Sequence, residues 1–249
     1  MIASARPPLG AALAILLTLV TLSGAVGPAA MAVLVVLLSV MIAAGWPDAL
    51  ELPSPVGSRV IVAGTGIVSA VLTLATAATK HSLWGVLIAG AMGVFASFLH
   101  QMFRRRRDGL SVSLTGTVAG AMLTAISGAW VLAQALAGTP LTVGVLTACG
   151  GGLAIALLVC AVPARKLVRL VAAVVLAIVA TAALASALGG MDWWVGALVG
   201  AVVGIGASGV HLLLDSVLPA EEPLSSMTTA AAPVATVGVV ALLLVRILS

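Results

Sequence analysis

Apolar runs succeed one another along this chain, separated by short segments where Pro, Gly and the few charged residues collect. A helix of ~20 apolar residues, rising 1.5 Å per residue, matches the hydrocarbon core of a bilayer. Runs of that kind predict about nine transmembrane helices, over 8–26, 28–46, 59–79, 83–103, 111–136, 140–162, 166–188, 193–217 and 228–247. The runs are continuous and do not alternate, which argues against β-barrel strands. Only "SGAVGP" parts the first two, and Pro28 at a first helical position after Gly27 suits a tight turn there. Arg6, an apolar run and "SGAVGPAA" also have the form of a signal peptide; the reading taken is a retained first helix.

Composition points the same way. Of 249 residues, 62% are hydrophobic and 7% charged, with a mean hydropathy of +1.31. Soluble domains carry about 25% charged residues, and this chain has too few polar groups to cover a water-facing core. The expected fold is all-α: a polytopic integral membrane helix bundle with its N-terminus cytoplasmic. A single transmembrane domain would fill 1–249, with no separate soluble domain. The two longest connections, "WPDALELPSPVGSR" and "LPAEEPLSS", are too short to form one. No internal repeat stands out.

Charge sets the orientation. With the N-terminus inside, Arg6, Arg59, Arg104, Arg105, Arg106, Arg107, Arg165, Lys166 and Arg169 fall on the cytoplasmic side, and only Lys80 and Arg246 fall outside. Basic residues in short loops favour the cytoplasm. Trp84, Trp193 and Trp194 then mark the outer interface and Trp46 the inner one. The formal charge of +4 therefore reads as topology; no aromatic-basic interleaving of a nucleic-acid surface is present.

"FLHQMFRRRRDG" is the most polar stretch. Arg104 to Arg107 form either a topology anchor or a site for anionic lipid headgroups, a protein partner or an anionic substrate. Small residues four apart mark helix-packing faces: Gly196, Gly200, Gly204 and Ser208; Gly116, Gly120, Thr124 and Gly128; and Gly90, Gly93 and Ser97. Two of these stripes run on into ionisable residues, His211 with Asp215 and His100. From Trp84 to His100 is roughly 24 Å and from Trp194 to His211 roughly 25 Å, at 1.5 Å per residue. That equal depth suggests a cytoplasmic vestibule of His100, Gln101, His211 and Asp215. The competing reading is an interfacial histidine pairing with Asp215 one turn away.

The hydroxyls of Thr65, Ser69, Thr73 and Thr76 share one helix face, where they either line a polar path or bond backbone carbonyls. "CGGG" at 149–152 is either a flexible break or a close helix crossing. Cys149 and Cys160, eleven apart on one run, lie roughly 16 Å from each other along it and cannot pair. No carboxylate falls near mid-span, which argues against an ion-coupled carrier built on buried acids. No nucleotide, zinc-protease or serine-hydrolase motif occurs. No cofactor and no metal site are expected, since the chain has three histidines and His81 falls at the outer face.

"GWPDALELPSPVGSR", "FLHQMFRRRRDG" and "AAAPVATVGVV" together resemble segments of multi-pass actinobacterial membrane proteins, some loosely labelled permeases. The resemblance implies a bacterial plasma-membrane location and carries over no site residues. Permease-like translocation of a small or lipid-like solute is the leading expectation. An accessory or scaffold subunit of an envelope complex, docking a membrane-protein partner or a second copy through its glycine faces, is the second. An enzyme acting on a lipid headgroup is the third. The bilayer, with anionic lipids, is the expected partner.

Overall fold

A computed structural model describes residues 15, 18, 27–77, 83–104, 108–162, 164–188, 191–217 and 223–248, with the side chains of 188, 215–217 and 223–226 left aside. The described helices are α1 (Gly27–Ala49), α2 (Pro55–Thr76), α3 (Trp84–Phe103), α4 (Leu110–Ser127), α5 (Ala129–Leu136), α6 (Pro140–Cys160), α7 (Lys166–Leu188), α8 (Trp193–Val217) and α9 (Pro223–Leu248). Among the described residues, eight helical stretches are long and apolar enough to cross a membrane, α4 and α5 together forming one of them. The chain is thus an all-α, multi-pass membrane protein. The expected run over 8–26 lies outside the described residues, apart from Ile15 and Thr18.

The helices start and stop where their terminal chemistry allows. α2 begins at Pro55, earlier than the apolar run suggests, because proline at a first helical position lacks only an N–H that would have no partner. Thr139 and Thr142 form a reciprocal cap at the start of α6. The surface is inside-out relative to a soluble protein: Val33, Val60, Val71, Phe95, Val179 and Ile205 are exposed, while Ser39, Ser58, Ser97, Thr117 and Thr181 are buried.

The expected run over 111–136 is one span, Leu110–Leu136, with a local interruption of its helix at Gly128. There the hydroxyl of Ser69 on α2 donates to the carbonyl of Ala125 at 2.7 Å, and the Gly128 N–H reaches back only three residues to the same carbonyl. A Cβ at Gly128 would collide with Ser69 Oγ. The missing side chain is therefore what lets α2 press close enough to interrupt the helix.

Helices α1 to α5 pack among themselves, as do α6 to α8, and α9 packs against members of both groups. α2 and α3 run antiparallel: Gly85 meets Thr73 near one end and Gly93 meets Thr65 further along. α7 and α8 do the same, with Gly196 on Thr181 and Ala185, Gly200 on Ala177 and Gly204 on Val174. The stripe Gly196, Gly200, Gly204 is thus occupied by α7. Gly116 and Gly120 of α4 receive Leu52 and Trp46. "CGGG" is a close crossing within an unbroken α6, since Gly151 packs on Leu184 and Gly152 on Thr181 and Val203.

The hydroxyl stripe of α2 is largely bonded to backbone carbonyls. Thr65 donates to Ile61 O at 2.8 Å and Thr76 to Leu72 O at 2.8 Å, so these groups are spent on their own helix. Thr73 differs. Its Oγ1 is buried against Gly85 and Gly128 with no hydrogen-bond partner among the described residues. An unsatisfied buried hydroxyl is destabilising, so Thr73→Val, which keeps the shape, should raise unfolding stability by about 1 kcal/mol. A thermal melt of the purified variant checks this; a lower midpoint would mean that the hydroxyl has a stabilising partner.

Candidate functional site

The polar groups concentrate where α1 ends, α2 begins, α3 ends and α4 begins. This is the end that carries Arg59 and Arg104. In the α1–α2 connection, Pro53 packs beside Gly109, Leu52 sits on Gly116, and Ser54 reaches His100. Gly109, at φ +61, starts α4 in the left-handed region, where a side chain would be strained.

His100 is held from two sides. Its ring lies over Gly57, where a Cβ would collide with it, and its Nε2 is 3.0 Å from Ser54 Oγ. Gln101 is buried and donates through Nε2 to Ser113 Oγ at 2.8 Å. Its Oε1 accepts from Arg104 Nη1 at 3.0 Å, while Arg104 Nη2 donates to the Asp108 carbonyl at 3.3 Å. Ser113 and Thr117 continue the chain, the Thr117 hydroxyl donating to Ser113 O and lying 2.7 Å from Ser58 Oγ. One network therefore ties α2, α3 and α4 together and fixes the Arg104 guanidinium through Gln101. Two of the five guanidinium donors are engaged by these groups. The rest of the fork is available to an anion.

Beside this network lies a cavity of about 560 Å³, lined by Trp46, Leu50, Leu52, Ser111, Val112, Thr115, Gly116 and Ala119. Trp46 forms one wall, and its Nε1 donates to Gly116 O at 2.7 Å. The cavity is apolar apart from the hydroxyls of Ser111 and Thr115. At the same end, Arg59 donates through Nη2 to both carboxylate oxygens of Asp48, at 2.7 and 2.6 Å, and through Nε to Ala44 O. Both charges of that pair are internally matched, so Arg104 is the cation here without a carboxylate partner among the described residues.

Of the four residues expected to form a vestibule, His100, Gln101 and His211 have described side chains. His100 and Gln101 stand together on α3, which packs on α2 and α4. His211 is buried on α8, which packs on α6, α7 and α9. Helix rise fixes depth and leaves azimuth free, which is why two histidines of equal depth can belong to different helix groups. The Asp215 side chain and Arg105, Arg106 and Arg107 lie outside the described residues, as do His81 and Lys80. Cys149 and Cys160 are both buried. Among the described residues no cluster of three or more His, Cys, Asp or Glu has metal-binding proximity.

The cavity itself and the Ser54, Ser113 and Arg104 contacts were not expected from sequence. A signal was present in "ALELPS": two leucines in a short connection between spans, bracketed by Pro47 and Pro53, belong against another helix and not in water. Searches of protein-family models, curated proteins and solved structures return no match to this chain.

Proposed function

We propose that this multi-pass membrane protein is a permease-like carrier of a lipid-like solute. The solute would enter from the leaflet on the arginine-bearing side, which the excess of basic residues makes the cytoplasmic one. The observation that carries the reading is the 560 Å³ cavity between the α1–α2 connection and the first turns of α4. Its lining is apolar, with two hydroxyls, and it lies at the same end as a guanidinium held in place by Gln101. An acyl chain against Trp46, Val112 and Ala119 with an acidic headgroup toward Arg104 satisfies both features. The hydroxyls closed onto backbone carbonyls in α2 favour this solute over a hydrated one needing a wet path. The accessory-subunit reading draws less support, because the stripe Gly196, Gly200 and Gly204 is already covered by α7.

Ala119 is exposed on the cavity wall, so Ala119→Trp fills the space without entering a helix contact. Proteoliposomes holding a fluorescent short-chain phosphatidylglycerol are expected to show faster transbilayer exchange with the wild-type protein. The variant should retain its melting midpoint and slow that exchange by roughly fivefold, about 1 kcal/mol in barrier. Exchange no faster than in protein-free vesicles would defeat the reading.

A further inference from the structure

The opposite end of the molecule carries a second cavity, of about 640 Å³, lined by residues of α6, α7, α8 and α9. Its chemistry differs from that of the first. "MDWW" at 191–194 begins α8, and Asp192, Trp193 and Trp194 all line the space together with Ser186 and Leu248. Asp192 caps α8 with its main chain: its carbonyl accepts from the N–H groups of Val195 and Gly196, each at 3.1 Å. The carboxylate takes no part in that cap. It is exposed and makes no hydrogen bond or ion pair among the described residues. Ser186 spends its hydroxyl on Ala182 O, which leaves the carboxylate as the anionic feature of the lining. Arg246, in the last turn of α9, stands at the same end.

Trp193 and Trp194 are 66% and 52% exposed. An interfacial tryptophan belt accounts for exposed rings at a helix end. It does not account for a carboxylate, without a partner among the described residues, that borders the same cavity as both rings. Aromatic faces attract cations through their quadrupole, and rings beside an acid are the arrangement that takes up alkylated ammonium groups, which carry charge but donate few or no hydrogen bonds. We propose that Asp192, Trp193 and Trp194 form a binding site for an alkylammonium group. That group can arrive as the headgroup of a zwitterionic phospholipid or as a free organic cation. The site is independent of the carrier reading above.

Two arms of one experiment separate these sources, both using the full chain. In nanodiscs of phosphatidylglycerol alone, equilibrium dialysis with radiolabelled tetraethylammonium reads the free cation. In parallel, protein extracted from mixed phosphatidylcholine–phosphatidylglycerol membranes is analysed for retained phosphatidylcholine. Asp192→Asn is the main variant, because it leaves the main-chain cap in place and removes only the charge. Asp192→Glu keeps the charge. Binding in at least one arm is expected to weaken roughly tenfold in Asp192→Asn, roughly threefold in Trp193→Leu or Trp194→Leu, and little in Asp192→Glu. Loss in the dialysis arm identifies a soluble cation; loss only in the lipid arm identifies a headgroup. Saturable binding in neither arm, or binding that Asp192→Asn leaves unchanged, overturns the proposal and returns both tryptophans to the interfacial belt.

Discussion

Gly200→Leu is expected to lower unfolding stability by about 3 kcal/mol, among the larger effects of any single substitution in this chain. A Cβ at position 200 would lie 2.7 Å from Ala177 O and 2.7 Å from Ile178 Cα, and would collide with Thr181 Oγ1. The first two obstacles are backbone, which cannot rotate away as a side-chain end can. Relief therefore requires α7 and α8 to separate along their whole shared face. That face supplies most of what holds α7, since the hydrophobic effect gives helices no reason to associate within lipid and close packing must do so. α7 presents exposed Val171, Val175 and Val179 outward, so its remaining support is α6. Gly206 on the same helix is the control: nothing stands within 4 Å of its Cβ position. Gly206→Leu should leave the melting midpoint within the error of the wild type. Equal destabilisation by the two variants would show that α8 is sensitive to glycine loss in general and not to this crossing.

The same contrast explains what the sequence could and could not convey. Period and length are local properties, and the apolar runs place the described spans to within a few residues. Glycines four apart are local too, and Gly116, Gly120, Gly196 and Gly200 are each where another helix or loop comes close. Azimuth is not local. Nothing in the spacing of His100 or His211 says that α3 packs on α2 and α4 while α8 packs on α6, α7 and α9. The break at Gly128 was illegible for a related reason. It depends on Ser69 arriving from another helix to take the Ala125 carbonyl, and a glycine in an apolar run does not announce such a visitor. The candidate site was half visible. Gln101 and Arg104 stood out by polarity, whereas the Trp46–Leu52 wall against α4 is made by a connection folding back, which only the misplaced leucines hint at.

Polar side chains among the described residues gather toward the two ends of this bundle. Arg104, oriented by Gln101, faces one interface, and Asp192, flanked by Trp193 and Trp194, faces the other. Between them the described hydroxyls mostly close on helix carbonyls. Such a molecule presents headgroup chemistry to each leaflet and apolar surface to the space between. That distribution fits a solute that travels with its chain in lipid better than one that needs water throughout.

Trp130→Ala is expected to cost about 4 kcal/mol, the upper part of the range for emptying a buried aromatic site. Trp130 is fully buried on the short helix α5, where it joins the first helix group to α9. Its Nε1 donates to Val234 O at 2.8 Å across 104 residues of sequence, and its ring rests on Gly238, whose Cβ position is 2.6 Å from Trp130 Cδ1. Removing the ring leaves a void and an α9 with one anchor fewer; Thr228, donating to Ile42 O at 2.9 Å, would still tie α9 to α1. Trp130→Phe separates the two contributions, because it fills most of the space and lacks the donor, and should cost about 1 to 2 kcal/mol. The decisive comparison is with Gly238→Ala. In the wild-type background the added methyl collides with the indole and should destabilise by about 2 kcal/mol. In the Trp130→Ala background it enters the vacated space and should be neutral or stabilising. A double-mutant cycle on thermal or denaturant unfolding reads the coupling directly. Additive costs would mean that the indole and Gly238 do not meet, and that α5 does not hold α9 by this contact.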